Sequence, residues 1–399
     1  MSMNILILSC VFPPEPVVSA TIVNDIATRL SEKGNRVTVV CPPPSRPYGF
    51  DFSGAQPQGL PFNRVVLNSY TNPQSGIMGR FKENFSFGKK ARKYIEQNHT
   101  NIDVIYANSW PLISQSHIVK SAKRYGIRVV MHIQDIYPEA LMGKLPTYLR
   151  PIVKAMLAPM DRFLQQQSHK VVAIGPILAE YLMQSRSLRK EQVEYIYNWQ
   201  DTNSFVEHHK HRLQPTPRPL TFMFLGSLGT IPMLHLVIDA FANARIHNSR
   251  LVIAGSGTAK QALIAQAKQH PDCDIQFIDA QKEEVPALQD SADVLLLTLQ
   301  KNMAFYALPS KLIAYMMSAK PIIATSEAKS DLDQIIRKTS CGWVVEPESI
   351  EAMVLALKQA AQSTPEKLET MGESGYQFAL TELSKERNLE KISNIIINQ

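Results

Sequence analysis

Short runs rich in Val, Ile and Leu recur along the chain. Between them, apolar residues return every three or four positions. The runs at 4–9, 36–40, 104–107, 128–132 and 170–174 are apolar on both alternating sets of positions, as in strands covered on both faces. The intervening segments read as amphipathic helices, such as 20–33 closed by Gly34 and 114–125 closed by Gly126. The alternation resumes with runs at 221–225, 250–254, 275–278, 294–298, 321–325 and 342–345. Helical patterns follow at about 232–244 and up to 268. Repeated β-α-β units imply open parallel sheets with helices on both faces. The expected fold class is α/β, with two Rossmann-like doubly wound domains facing a cleft. Ligands in such sheets bind outside the carboxyl ends of the strands.

The stretch 201–219, DTNSFVEHHKHRLQPTPRP, is polar and holds three prolines, so it reads as a linker. It separates an N-terminal domain, 1–200, from a C-terminal domain, 220–384. An amphipathic segment, 385–399, is expected to be a helix that packs back on the first domain. His208, His209 and His211 have no Cys or carboxylate pair in ligand register, so the linker reads as solvated and no metal is expected.

Length and composition sharpen this picture. A chain of 399 residues suits two domains. With 45% hydrophobic and 19% charged residues it is a packed protein, not a disordered one. Its four cysteines form no C-x-x-C pair, which argues for core thiols over a zinc site or disulfide framework. The first apolar run lacks a basic leader and stops at Pro13-Pro14, so it reads as a buried strand, not a signal peptide. No stretch approaches the roughly 18–20 apolar residues of a spanning helix. A cytoplasmic protein is expected, with attachment to a membrane surface left open. The net charge of +7 is uneven: residues 1–205 carry +9 and residues 206–399 carry −2.

Candidate chemistry gathers at strand ends. In 308–324, LPSKLIAYMMSAKPIIA, Pro309 suits a first helical position, with the helix running to about 318. Free N–H groups at its start, the Ser310 hydroxyl and the Lys311 ammonium would cradle a nucleotide diphosphate. An ordinary helix start with a surface lysine fits the same spacing. Gly226-Ser227-Leu228-Gly229 and Gly255-Ser256-Gly257 are two more turns able to take a phosphate.

In the first domain, His132 and Asp135 follow a strand and are candidates for proton transfer, with Glu139 close behind. A capping Asp135 and a packed His132 are the alternative. Asn108 and Trp110 occupy the same edge, as does the loop with Glu15 and Ser19.

The segment 80–95, RFKENFSFGKKARKYI, holds Arg80, Lys82, Lys89, Lys90, Arg92 and Lys93 against one acid, Glu83. Phe81, Phe85 and Phe87 are interleaved. Such a segment suits an anionic membrane interface. It also suits single-stranded nucleic acid, or a helix whose aromatics face the core. No nucleic-acid recognition signature accompanies it.

The motifs at 12–20, 105–111, 134–139, 197–201, 224–229, 253–257 and 308–312 together resemble those of the family-4 glycosyltransferases of GT-B fold. The resemblance is to the bacterial branch that builds O-antigen, capsule and colanic-acid polysaccharides. It implies a retaining transfer of a hexosyl or N-acetylhexosaminyl group, without a metal or other cofactor. The donor would be a nucleoside-diphosphate sugar, UDP-linked by expectation. The acceptor would be a polyprenyl-diphosphate-linked or other glycan at the inner leaflet of the cytoplasmic membrane.

By resemblance, Gly226, Ser227, Gly229, Gly255, Gly257, Tyr306, Pro309, Ser310 and Lys311 meet the donor. Glu15, Ser19, Asn108, Trp110 and Glu139 meet the acceptor, Asp135 and His132 are catalytic, and the basic aromatic segment meets anionic lipid. No nucleic-acid partner is expected. The sequence departs from the family where two glutamates eight positions apart fall at Tyr306 and Ala314, and where Ser227 replaces an arginine. Lys311 is then left with most of the diphosphate charge. A catalytically silent binding subunit and a sugar-nucleotide epimerase are the competing functions.

Overall fold

In the computed structural model the described residues are 2–46, 52, 59–72, 76–108, 112–142, 145–211, 218–229, 233–301 and 308–398. They form two units, Met1–Asn198 with Lys385–Gln399, and Trp199–Ser384.

The N-terminal unit holds seven parallel strands: β1 (Asn4–Leu8), β2 (Arg36–Cys41), β3 (Asn63–Val66), β4 (Val104–Asn108), β5 (Arg128–Ile133), β6 (Lys170–Ala173) and β7 (Val193–Tyr195). Their order is β3-β2-β1-β4-β5-β6-β7, so the direction of winding reverses at β1. The central strands were legible because both their faces are buried. The edge strands β3 and β7 were not: Asn63–Val66 and Val193–Tyr195 are short and largely exposed. The helix Lys385–Ile397 lies in this unit against the helix Val18–Glu32. It buries Leu389, Ile392 and Ile396. Lys385 pairs with Asp25 at 2.9 Å, and Lys33 with Glu390 at 2.6 Å.

The C-terminal unit holds β8 (Leu220–Leu225), β9 (Ser249–Ala254), β10 (Asp274–Ile278), β11 (Val294–Leu297), β12 (Ile322–Thr325) and β13 (Gly342–Val345). Their order is β10-β9-β8-β11-β12-β13, all parallel, with the reversal at β8. Phe222, Phe224, Leu251 and Ile253 pack against Val237, Ile238 and Phe241 of the helix Leu234–Ala244. The two reversals place the ligand edges of the sheets at the carboxyl ends of β1 and β8.

The expected linker at 201–219 is corrected where it is described. Asn203–Lys210 is a helix of the C-terminal unit that buries Phe205. The His208 imidazole lies 3.2 Å from Asp290, and the His209 ring stacks on Tyr376 at 4.1 Å. One aromatic anchor and two side-chain contacts hold a segment whose composition alone reads as solvent-facing. Residues 212–217 lie outside the described residues. Among the described residues, no group of three or more His, Cys, Asp or Glu could hold a metal ion.

Candidate functional site

At the β8 reversal the chain leaves Leu225 through Gly226, Ser227, Leu228 and Gly229. The turn after β9, 255–257, interlocks with it. The Gly226 N–H donates to the Ala254 carbonyl at 2.9 Å, Leu228 N–H to Ser256 at 2.8 Å and Ala259 N–H to Leu228 at 2.9 Å. Gly255 and Gly257 have φ of +129° and +157°, and a Cβ on either would overlap the backbone of the first turn at Gly226 or Leu228. These two glycines thus serve loop-to-loop approach, which their phosphate-turn pattern did not reveal. Leu228 is buried beneath the pair. The N–H groups of Ser227 and Gly229 meet no acceptor among the described residues. A cavity of about 250 Å³ opens beside Gly229. Gly255→Ala should lower stability by at least about 2 kcal/mol, because left-handed strain and backbone overlap add. An unchanged melting temperature would contradict this account of the turn.

Gly226 lies under a different neighbour, the movable end of a lysine. A Cβ there would overlap Lys311 Cε, because the lysine stem lies directly over the glycine. Lys311 Nζ sits 5.2 Å from the centre of the Phe224 ring, a cation–π contact with the penultimate residue of β8. No carboxylate pairs with it among the described residues, and burial pushes its pKa down. Lys311 is thus half-buried, with its stem over the turn whose Ser227 and Gly229 N–H groups meet no acceptor among the described residues.

Two clamps hold Lys311 there. The Tyr315 hydroxyl, fully buried, accepts from the Leu225 N–H at 3.0 Å and donates to its carbonyl at 3.2 Å. Gln200 Nε2 donates to the Ser310 carbonyl. The helix is Lys311–Met317, starting two residues later than the sequence suggested. Pro309 is outside it, its carbonyl accepting from Leu312 N–H at 3.0 Å. A helix of seven residues offers little dipole, so the side chain of Lys311 carries the positive charge. Ser310 is exposed beside it, and Ala314 brings no carboxylate. Tyr306 lies outside the described residues.

In the N-terminal unit, His132 stands opposite Asn108 in the β5–β4 register. Both are buried. His132 Nδ1 lies 2.8 Å from the Tyr106 hydroxyl, while its Nε2, Asn108 Oδ1 and Gln115 Oε1 have no partner among the described residues. Burial pushes the His132 pKa down to about 4, so the ring is neutral near pH 7. An unfolded imidazole titrates near 6.5. The unfolded chain therefore binds more protons between those values. The contribution of His132 to stability is complete above about pH 6.5 and falls by up to about 3 kcal/mol as pH drops to 4. Urea unfolding of His132→Gln should show a flatter acid limb than the parent; identical limbs would refute this.

Asp135 is exposed just past β5, and the Ser19 hydroxyl donates to Gln134 at 2.7 Å. Trp110 lies outside the described residues. Two expected acceptor carboxylates are turned inward instead. Glu15 accepts from the N–H groups of Phe12 at 3.2 Å, Ser45 at 2.9 Å and Arg46 at 3.0 Å, clamping two loops together. Burial raises its pKa, only partly offset by those donors. Glu139 accepts from Arg186 at 2.8 Å and Tyr181 at 2.6 Å. Burial opposes its ionisation, but Arg186 and Tyr181 outweigh that and hold the carboxyl below its ordinary range. Arg186 also pairs with Asp161 at 2.6 Å and donates to the Tyr137 carbonyl at 2.9 Å. No sequence spacing links these positions, so Arg186 was not a candidate.

The basic aromatic segment lies on the helix Ile77–Asn98. Glu83, Phe87, Ala91 and Ile95, spaced by four, form its buried stripe. Phe87 is therefore core, not lipid-facing. Arg80 is held at 2.7 Å by Glu83, whose carboxylate also pairs with Arg46 at 2.8 Å. Arg92 pairs with Glu96, and Lys90 donates to the Asn68 carbonyl. Lys82, Phe85, Lys89 and Lys93 are exposed, with Met78 and Phe81 beside them. Among the described residues, no helix is long and apolar enough to cross a membrane.

Comparison with known proteins agrees with this fold. Residues 19–204 match the family model Glycosyltransferase Family 4, and residues 206–378 match Glycosyl transferases group 1. The chain is 28% identical over 251 residues to WcaI of Escherichia coli (strain K12), named as a colanic acid biosynthesis glycosyl transferase. That match covers 60% of this chain and 61% of WcaI. WbjE of Pseudomonas aeruginosa, named as a glycosyltransferase, is 22% identical over 59% of this chain and 60% of its own. Both alignments span less than two thirds of the relative. The crystal structure of Anabaena Alr3699/HepE in complex with UDP superposes with a TM-score of 0.70 at 14% identity, covering 100% of both chains. With one family model on each of its two parallel-sheet units, the chain belongs to the glycosyltransferases of GT-B type, a family 4 domain followed by a group 1 domain.

Proposed function

We propose that the protein transfers a hexosyl or N-acetylhexosaminyl group from a nucleoside-diphosphate sugar to a lipid-linked glycan in surface polysaccharide biosynthesis. The observation that carries this reading is the half-buried Lys311 over Gly226, without a carboxylate partner among the described residues, on a turn whose Ser227 and Gly229 N–H groups meet no acceptor among those residues. A diphosphate leaving group gains negative charge as the sugar bond breaks. Donors already in place stabilise that charge without reorganising. UDP is the proposed leaving group; HepE, of similar fold, is solved with UDP. The name of WcaI, a colanic acid biosynthesis glycosyl transferase, supports a polysaccharide product.

In the N-terminal unit, Asp135 orients the acceptor hydroxyl. His132, fully buried and neutral, is a positioning residue that acts through its neighbours Tyr106 and Asn108 and not on the sugar itself. Transfer is proposed to retain the anomeric configuration. The protein works at the cytoplasmic face of the membrane, with the exposed residues of the helix Ile77–Asn98 toward anionic lipid.

A panel of UDP- and GDP-sugars tests the donor, since a ligand of the folded state raises the melting temperature. Stabilisation by one UDP-sugar, followed by UDP release with an extract of lipid-linked glycans, is expected. One observation favours a silent binding subunit instead: the Lys311–Met317 helix carries no carboxylate, with alanine at position 314. Donor stabilisation without any UDP release would select that reading. No stabilisation by any nucleotide sugar would remove the transferase proposal.

A further inference from the structure

The fully buried residues of the helix Arg150–Gln167 all lie in its second half. Asp161, Leu164 and Gln165 are buried, whereas its first turns project. Tyr148 just before it is 74% exposed, Ile152 64% and Met156 69%. Pro151, Ala155 and Pro159 are exposed as well, with Arg150 and Lys154 the exposed charges among them. An amphipathic surface helix would turn such residues inward. From 140 to 160 the sequence holds Lys144, Arg150 and Lys154 and no acid.

This half-helix has a neighbour of matching character. The helices Ile77–Asn98 and Arg150–Gln167 both pack against the helix Leu112–Arg124. They lead into β4 and β6 of one parallel sheet, so both start at its carboxyl edge. Right-handed crossovers put them on the same face. Met78, Phe81 and Phe85 therefore stand at the same edge as Tyr148, Ile152 and Met156, about 20 Å away at ordinary helix spacing.

We propose that residues 148–159 insert into the headgroup and upper acyl zone of an anionic bilayer. They form an apolar anchor beside the electrostatic contact made by Lys82, Lys89 and Lys93. Along the segment 140–160 the charges are all cationic, which favours anionic lipid, and Tyr148 suits the interfacial level. The proposal rests on the membrane reading of the helix Ile77–Asn98 and adds the inserting element. A second copy of the chain is the competing occupant.

The test uses the full chain with vesicles of roughly 30% phosphatidylglycerol in phosphatidylcholine, at about 50 and about 500 mM salt. The parent should co-sediment. Ile152→Glu/Met156→Glu should weaken retention roughly tenfold or more at both salts, with an unchanged melting curve. Lys82→Glu/Lys89→Glu/Lys93→Glu should weaken it chiefly at low salt. Ile152→Trp should give a blue-shifted emission quenched by brominated lipid. If the parent sediments but Ile152→Trp emission is unmoved, insertion is overturned while the basic contact stands. If the parent sediments with no vesicle, both fail. If Ile152→Glu/Met156→Glu splits a solution dimer and leaves vesicle retention unchanged, a second copy covers the patch and the proposal is overturned.

Discussion

Lys311→Met is expected to lower turnover by about 10²–10³-fold, the effect of removing one preorganised donor from a developing anion. It should also weaken binding of the nucleoside diphosphate itself by roughly tenfold to a hundredfold, because a charge-assisted hydrogen bond is lost. Methionine keeps the stem that packs over Gly226 and against Phe224, so folding should persist. Lys311→Arg separates charge from shape. The wider guanidinium must fit where a Cβ on Gly226 already would not, so it should restore little. The pH dependence has a definite sign. Anion binding needs the ammonium, and burial lowers its pKa, so affinity should decline with rising pH earlier than for an exposed lysine. Calorimetry with UDP and steady-state release of UDP measure the two effects. Parental turnover in Lys311→Met would remove the lysine from the mechanism.

Arg186→Met should be the most damaging single change to the N-terminal unit. It leaves Glu139 and Asp161 buried without their cation, which typically costs about 3–5 kcal/mol. At roughly 2–4 °C per kcal/mol for a unit of this size, the corresponding transition should fall by about 6–20 °C. The change also removes the Arg186 hydrogen bond to the Tyr137 carbonyl, one of the contacts of the loop that carries Asp135. Activity measured well below the transition should therefore drop through kcat with little change in donor binding. Replacing the acids as well, as Arg186→Met/Glu139→Gln/Asp161→Asn, should recover part of the lost stability, because the uncompensated charges are gone. A melting temperature within 2 °C of the parent would show that the network contributes little. For Glu139 the folded pKa lies below the unfolded one, so its share of stability is present above the ordinary carboxylate range and lost on acidification.

These two residues differ in how far they could be read in advance. Lys311 lies in Leu-Pro-Ser-Lys-Leu ahead of an apolar strand, and its charge in that setting is visible in one line of sequence. Arg186 meets partners 25 and 47 positions away. Glu139 illustrates the reverse error. A carboxylate after a strand end is a reasonable ligand until its two oxygens are found on Arg186 and Tyr181. Phe87 and Arg80 behaved alike. Spacing by four from Ala91 and Ile95 puts Phe87 in the buried stripe, and Glu83 on that same stripe draws Arg80 inward.

The order of apolar runs and helical periods by itself determined two doubly wound parallel sheets. Burial on both faces leaves a local imprint on every central strand. The glycine turns and Lys311 were likewise local, because a turn and a charge need no distant partner to be recognised. Tertiary structure alone decided which way the polar side chains face. It turned Glu15 and Glu139 inward and made Gly255 and Gly257 the seat of one loop upon another. It seated Lys311 over Gly226, and it left Ile152 and Met156 of the Arg150–Gln167 helix exposed. Each of these depends on contacts between residues far apart in the chain, and a pattern along the chain records only that a residue is polar or apolar, not what it will meet.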